Sequence, residues 1–424
     1  MTAGTDRRIR GRHTLRCRWL LPMAGPPLEN AWLVLDCGRI VGLGRGSPPG
    51  ASSACVDLGD AIVLPGLVNA HTHLEFSELA EPLDPAGGLP AWIERVVVAR
   101  RARAEPTGPH VAAAAIRRGL AESAAGGVTA IGEIATAVSA AAYAGPGPAV
   151  RVFREGLGLR AAAIEAVPRA IAADLDQLTA SGLAGGVSPH APYSVAAPLG
   201  RRLLSEARRR RLPVAMHLLE SDAEAELLAG GSGPFRRLLE QLGAWDSLAP
   251  PALLPPAEWI GRLATAPRGI VVHATHIARD PAALARLARH RDRLAVAICP
   301  RTTLAISGSL PPLALLREAG IRVAIGTDSR ASNPDLSVLA ECRVLVDAGL
   351  AAPEDALRMA TSHGAWALGL DHVAGRTSPG GRADLAILRP NSAPSDDPFV
   401  AALDPATVVT AVLRHGRVIA GRLG

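Results

Sequence analysis

Lysine is missing from this chain, so all 45 basic side chains are arginine. That absence excludes a lysine Schiff base, a P-loop lysine and the carbamylated lysine that bridges two metals in some hydrolases. Aromatic residues are scarce, with six Trp, four Phe and two Tyr, so stacking in any pocket rests on few side chains. No apolar stretch approaches the roughly 20 uninterrupted residues of a membrane-spanning helix, and no membrane partner is expected. The five cysteines are scattered and lack CxxC spacing, which excludes a disulfide framework and makes the reducing cytoplasm the expected compartment. A net charge of +6 over 424 residues is thin, so a mixed solvated surface is expected and a nucleic-acid partner is not. The basic start Arg7-Arg8-Ile9-Arg10-Gly11-Arg12 resembles the opening of a targeting peptide, but the apolar piece from Trp19 to Met23 is short and Pro-broken and fails as a signal sequence.

What is present is organised in three stretches. Residues 30 to 64 alternate apolar and polar positions between turn signals, as do the last fifty, so both ends read as short antiparallel strands that meet in one small β-domain. Between them, short apolar runs alternate with Ala/Leu/Arg-rich helical stretches, the pattern of repeated βα units. Eight strands are predicted: Ile62 to Ala70, Gly127 to Glu133, Val150 to Leu157, Gly185 to Ser188, Pro213 to Met216, Gly269 to Val272, Leu294 to Ile298 and Arg322 to Ile325. The expected fold is an α/β protein, a (β/α)8 TIM barrel over 65–375 with a small β-sandwich domain built from 1–64 and 376–424. Pro250 to Pro256, with Glu258-Trp259-Ile260, is expected in an elongated loop between the fifth and sixth strands.

In such a barrel the chemistry sits at the carboxyl ends of the strands, and polar residues follow the apolar runs there. His71 and His73 follow the first run, and on a continuing strand residues two apart face the same way, so two imidazoles can meet one cation. His190 lies in a Pro-flanked turn suited to aiming a side chain at a ligand. His217 adds a third imidazole, and Glu220, three residues on, offers the carboxyl needed to ferry a proton in a hydrolysis. His273 follows the sixth run and is the better site candidate there, with His276 a loop or core residue. Asp328 reads either as a metal ligand and proton acceptor or as a cap of the segment that follows. His13, His110, His290, His363, His372 and His415 are assigned to surface or packing.

Taken in order, Pro65-Gly66-Leu67-Val68-Asn69-Ala70-His71-Thr72-His73, Pro189-His190-Ala191-Pro192-Tyr193-Ser194, His217-Leu218-Leu219-Glu220, His273-Ala274-Thr275-His276 and Gly326-Thr327-Asp328-Ser329-Arg330-Ala331-Ser332-Asn333 resemble the amidohydrolase superfamily. The branch is that of S-adenosylhomocysteine and methylthioadenosine deaminases, triazine chlorohydrolases and aminofutalosine deaminases. The resemblance implies one divalent cation, Zn²⁺ or Fe²⁺, held by His71, His73, His217 and Asp328. It implies Glu220 as the acid that protonates a ring nitrogen, His273 as the group that orients water, and Asp328 as the acceptor of the water's proton. His190 would contact substrate, and Trp92 looks like a first-loop element that packs on a ligand. After the paired histidines the chain reads Leu74-Glu75-Phe76-Ser77, similar to aminofutalosine deaminases, which makes Glu75 a substrate-binding candidate. Phe153-Arg154-Glu155-Gly156 supplies another, Glu155, although the sequence leaves open whether Arg154 or Glu155 points inward. The implied substrate is a small purine nucleoside or related heterocycle, with aminofutalosine leading and S-adenosylhomocysteine or adenosine-like compounds behind. Chlorohydrolase, guanine or cytosine deaminase chemistry and a non-catalytic binding protein are the alternatives. Relatives of this kind commonly pair, so a homodimer is the candidate assembly.

Overall fold

A computed structural model of the chain describes residues 11–48, 54–107, 109–391 and 395–423, with the side chains of 103–107 and 109–112 outside that description. The basic residues Arg7, Arg8 and Arg10 and the side chain of His110 therefore lie outside the described residues. Among the described residues no helix is long and apolar enough to cross a membrane, and Cys17, Cys55, Cys299 and Cys342 are free thiols.

Eight parallel strands form the barrel: Leu67–Thr72, Val128–Ala135, Ala149–Gly156, Ala184–Pro189, Val214–Leu218, Gly269–His273, Leu294–Ile298 and Arg322–Ile325. Each pairs with its sequence neighbours, and the ring closes through a parallel bridge between Thr72 and Asp328. Their side chains are buried on both faces because helices cover the outside, which is why they read as unbroken apolar runs. Helix Ala197–Arg210 shows how the cover is built. Leu199, Leu203, Leu204 and Ala207 recur at helical spacing and are buried, while the arginines between them stay on the outer side.

The chain ends form a second sheet, in the order Arg417–Gly421, Val408–Arg414, Leu385–Arg389, Ile62–Pro65, His13–Leu20, Leu28–Asp36 and Arg39–Arg45, with Cys55–Asp57 also pairing with His13–Leu20. Leu15, Cys17, Leu33, Leu35, Val63, Leu385, Ile387 and Leu413 meet in one apolar core. Their alternate neighbours Ile62, Leu64, Ala386 and Leu388 belong to the barrel core. Two strands thus carry apolar residues on both faces and weld the small domain to the barrel.

Three expectations need correction. Ile62 to Ala70 is two strands, because Gly66 breaks the run: a Cβ there would meet the Thr129 side chain at 2.1 Å. The first half joins the terminal sheet and the second half the barrel. The terminal strands are not all antiparallel, since His13–Leu20 pairs parallel with Cys55–Asp57 and Ile62–Pro65. Glu258, Trp259 and Ile260 lie in helix Pro256–Leu263 rather than a loop. Proline at a first helical position costs no hydrogen bond, and Trp259 is fully buried.

Candidate active site

The first barrel strand ends in His71-Thr72-His73, and the segment after the eighth strand lies directly beside it. Thr327 and Asp328 both donate their N–H to His71 O, at 3.0 and 3.1 Å, and His73 donates to Asp328 O at 2.9 Å. This close approach depends on Gly326, where a Cβ would sit 2.8 Å from His71. Buried Asn69 ties the two segments, donating to Thr327 Oγ1 at 2.7 Å and accepting from Thr327 N at 3.1 Å. Asn69→Ala is expected to cost about 3 kcal/mol, the scale for stranding buried polar partners. Urea unfolding read by circular dichroism measures that loss.

Three imidazoles converge here. The Nε2 atoms of His73 and His217 are 3.3 Å apart, and ligand atoms of His71, His73 and His217 all lie within 4.8 Å of one another. Asp328 Oδ1 stands 3.7 Å from Nε2 of both His71 and His73. Two nitrogens each about 2.1 Å from a zinc-like cation at the tetrahedral angle would be about 3.4 Å apart, so the separations suit one shared ion. The donor chemistry fits as well. His71 Nδ1 and Nε2 and His73 Nδ1 are buried without a hydrogen-bond partner. Burial, then the neighbouring His71, pushes His73 and His217 well below the ordinary histidine pKa, leaving neutral rings able to donate a lone pair. His217 Nδ1 contacts His190 O at 2.9 Å. A carbonyl can only accept, so Nδ1 carries the proton and Nε2 is left free for a cation.

Asp328 has a divided task. Oδ1 faces the imidazoles, and Oδ2 accepts from Ser332 Oγ at 2.8 Å. Burial works to raise its carboxyl, but the facing His71, His73 and His273 outweigh that and hold it below the usual carboxylate range. Behind it, Thr302 Oγ1 donates to Ser332 Oγ at 2.9 Å, and Asn333 Nδ2 lies 3.1 Å from Thr302 Oγ1 and 3.0 Å from buried Glu341. Asp328 and His273 adopt left-handed backbone, with φ of 54° and 70°. Such residues each cost about 1 to 3 kcal/mol and persist where the surroundings enforce them.

His273 Nε2 lies 3.3 Å from Glu220 Oε1. Burial, followed by the charges of Asp328 and Glu224, raises the Glu220 carboxyl well above its ordinary value, while burial lowers His273 to about 4. Glu224 positions this segment. It lies in the first turn of helix Asp222–Gly230, behind the Ser221 cap, and its carboxylate accepts from Leu219 N at 3.1 Å and Glu220 N at 3.0 Å. Sequence reading missed Glu224, although Ser221-Asp222-Ala223-Glu224 has capping-box spacing. It also missed Glu133, which is buried at the end of the second strand and accepts from Leu74 N at 2.9 Å, fixing the turn after the paired histidines.

Glu155, His190 and Trp92 line the cavity above these groups. Glu155 points inward and is buried, with Oε1 unpartnered, whereas Arg154 turns outward to Asp174 at 2.5 Å. Ligand atoms of Glu155, His190 and His217 also fall within 4.8 Å of one another. His217 has one free lone pair and cannot serve two ions, so Glu155 and His190 are left facing the cavity. His190 Nδ1 is held 2.6 Å from Ser194 Oγ. Trp92 donates to Ala331 O at 3.2 Å and sits in an apolar cluster with Phe76, Leu89, Tyr193, Phe235 and Leu239. Glu75 stands one step back: it pairs with Arg100 at 2.8 Å, and Arg100 is the one that lines the cavity. His276 contacts Asp222 at 3.1 Å on the loop beyond the sixth strand, and His363 packs against Val323 O.

Burial pushes Glu155 up to about 7, so its folded form holds a proton that the unfolded chain releases near 4.5. That stabilisation is fully present below the unfolded value and disappears as pH rises through about 7, a swing of about 3 kcal/mol. Glu155→Gln should flatten the rise of metal-free stability on acidification over that window, as followed by thermal unfolding at stepped pH.

The amidohydrolase family profile matches residues 62–419. The chain belongs to the amidohydrolase family. This member is 30% identical over 371 residues to a 5-methylthioadenosine/S-adenosylhomocysteine deaminase of Halobacterium salinarum, covering 83% of this chain and 78% of the relative. Among solved structures it resembles the Helicobacter pylori aminofutalosine deaminase bound to methylthio-coformycin, with a TM-score of 0.83, 23% identity and coverage of 96% and 99%. A zinc-bound adenosine deaminase from Xanthomonas campestris superposes with a TM-score of 0.72 at 24% identity, covering 96% and 93%. Both structural likenesses show the fold.

Proposed function

We propose that this amidohydrolase is a metal-dependent hydrolytic deaminase of adenine-bearing nucleosides, with aminofutalosine the leading substrate and S-adenosylhomocysteine or adenosine-like compounds next. The observation that carries this reading is the Glu220–His273 pair at 3.3 Å, set beside three converging imidazoles and an Asp328 carboxyl held below the usual carboxylate range, beneath an apolar cavity. His71, His73, His217 and Asp328 would hold one divalent cation, Zn²⁺ or Fe²⁺. When bound, such a cation lowers the pKa of water to around 7 and so makes a nucleophile available at neutral pH.

The chain's own residues perform the rest. Glu220 stays protonated and donates to the ring nitrogen next to the amine-bearing carbon, so negative charge does not build on the ring as water adds. His273, neutral near pH 7, hydrogen-bonds the attacking water and fixes its direction. Asp328 accepts the water's proton and returns it to the departing amine, which leaves as ammonia, and the proton left on the added oxygen goes back to Glu220 as the ring carbonyl forms. Glu155 and His190 contact the nucleoside, and Trp92 covers it. The Glu75–Arg100 pair borders the same space and matches the segment similar to aminofutalosine deaminases.

Ammonia release tests the reading directly. Adenine nucleosides should release it, whereas guanine, cytosine and chlorotriazines should be poor substrates. Turnover of a chlorotriazine with chloride release, or no turnover on the whole panel, would overturn it. The pH dependence has a stated sign. Because Glu220 acts protonated and its pKa is raised, kcat/KM should fall as pH rises through that raised value. The acid limb should lie below the usual carboxylate range, because Asp328 stays ionised there. Rates measured from about pH 3 to about pH 10 check both limbs.

A further inference from the structure

A second concave surface lies where the terminal sheet meets the foot of the barrel. The loop Gly145-Pro146-Gly147 and the side chains of Arg382, Arg414, His415 and Arg417 wall it. Gly147 stands just before the third barrel strand, Ala149–Gly156, whose far end carries Glu155. A strand of eight residues is roughly 25 Å long. The cavity is therefore on the opposite face of the barrel from the imidazoles.

Its charge is unbalanced. Among the described residues no acidic side chain lines it. Asp384, a carboxylate that acts on Arg382 and Arg414, is buried and already accepts the backbone N–H of His415 at 2.5 Å. Arg414 is half-buried and anchored, with Nη1 donating to Gly147 O at 2.9 Å. The guanidiniums of Arg382 and Arg417 make no hydrogen bond or ion pair among the described residues. Three guanidiniums wall one hollow, with buried Asp384 beside two of them, which leaves an excess of positive charge there. Arginines on an ordinary solvated surface spread apart to reduce repulsion, whereas here a loop carbonyl and a hairpin turn hold them together. A tetrahedral dianion would relieve that repulsion and accept the forked N–H pairs that arginine presents.

We propose that this cavity binds a phosphate dianion, either free or as the phosphoryl group of a small metabolite. The test uses metal-loaded, full-length protein and two probes, inorganic phosphate and ribose 5-phosphate, against sodium chloride at equal ionic strength. Thermal unfolding and titration calorimetry are the readouts. Phosphate should raise the unfolding temperature saturably, because a ligand that binds only the folded form stabilises it. The double variant Arg382→Ala/Arg417→Ala should weaken binding at least about tenfold, with an unchanged circular dichroism spectrum and unchanged unfolding temperature in chloride. Tighter binding of ribose 5-phosphate than of phosphate marks a metabolite as the source, and equal binding marks the free ion. The proposal is overturned if phosphate stabilises no more than chloride does, or if the double variant binds it as the wild type does, which would put the ion elsewhere.

Discussion

Glu220→Gln lowers turnover by about two to four orders of magnitude, the usual worth of a general acid, while the protein still binds one equivalent of divalent cation. The amide keeps the size of the side chain and its place beside His273, 3.3 Å away, but has no acidic proton for the ring nitrogen. Glu220 is outside the set of three imidazoles and Asp328, so cation binding should not change. Single-turnover assays on an adenine nucleoside, with elemental analysis of the same sample, measure both quantities. Wild-type turnover in the variant would remove Glu220 from the mechanism. Loss of the cation would make it part of the metal site.

Asp328→Asn should be damaging in a different way. Asparagine tolerates left-handed backbone, which this position requires at φ 54°, so the fold should survive. A neutral amide is a poor cation ligand and cannot take a proton from water. Turnover should fall by at least about three orders of magnitude, and cation occupancy should fall with it. The metal-dependent gain in unfolding temperature should shrink in the variant, because stabilisation by a ligand follows its affinity for the folded form. Full occupancy with lost turnover would make Asp328 a proton acceptor only. The two substitutions therefore separate the acid from the ligand by whether the metal remains.

Much of the barrel was readable because parallel strands buried on both faces leave short, unbroken apolar runs, and because the residue that follows each run falls at the mouth. That rule picks out His71, His73, His190, His217, His273 and Asp328, which the structure brings together at the carboxyl ends of the strands. The rule failed where one run serves two sheets: nothing in Ile62 to Ala70 announces that Gly66 must pass Thr129 without a Cβ. Strand His13–Leu20 was hidden because its arginines alternate with buried Leu15 and Cys17 in a stretch that reads as a basic leader. The supporting residues were harder still. Glu224 and Asn69 act on backbone N–H groups brought close only by folding, and Glu133 reaches the turn at Leu74 from the neighbouring strand. The choice between Arg154 and Glu155 depended on strand register, which places Glu155 inward.

X-ray diffraction at the zinc edge from crystals of the zinc-loaded protein tests the central claim most directly. One anomalous peak is expected, roughly 2.0 to 2.2 Å from a nitrogen of each of His71, His73 and His217 and from an oxygen of Asp328. A peak at another group of residues, or one with Asp328 beyond bonding distance, would contradict the site and the chemistry drawn from it.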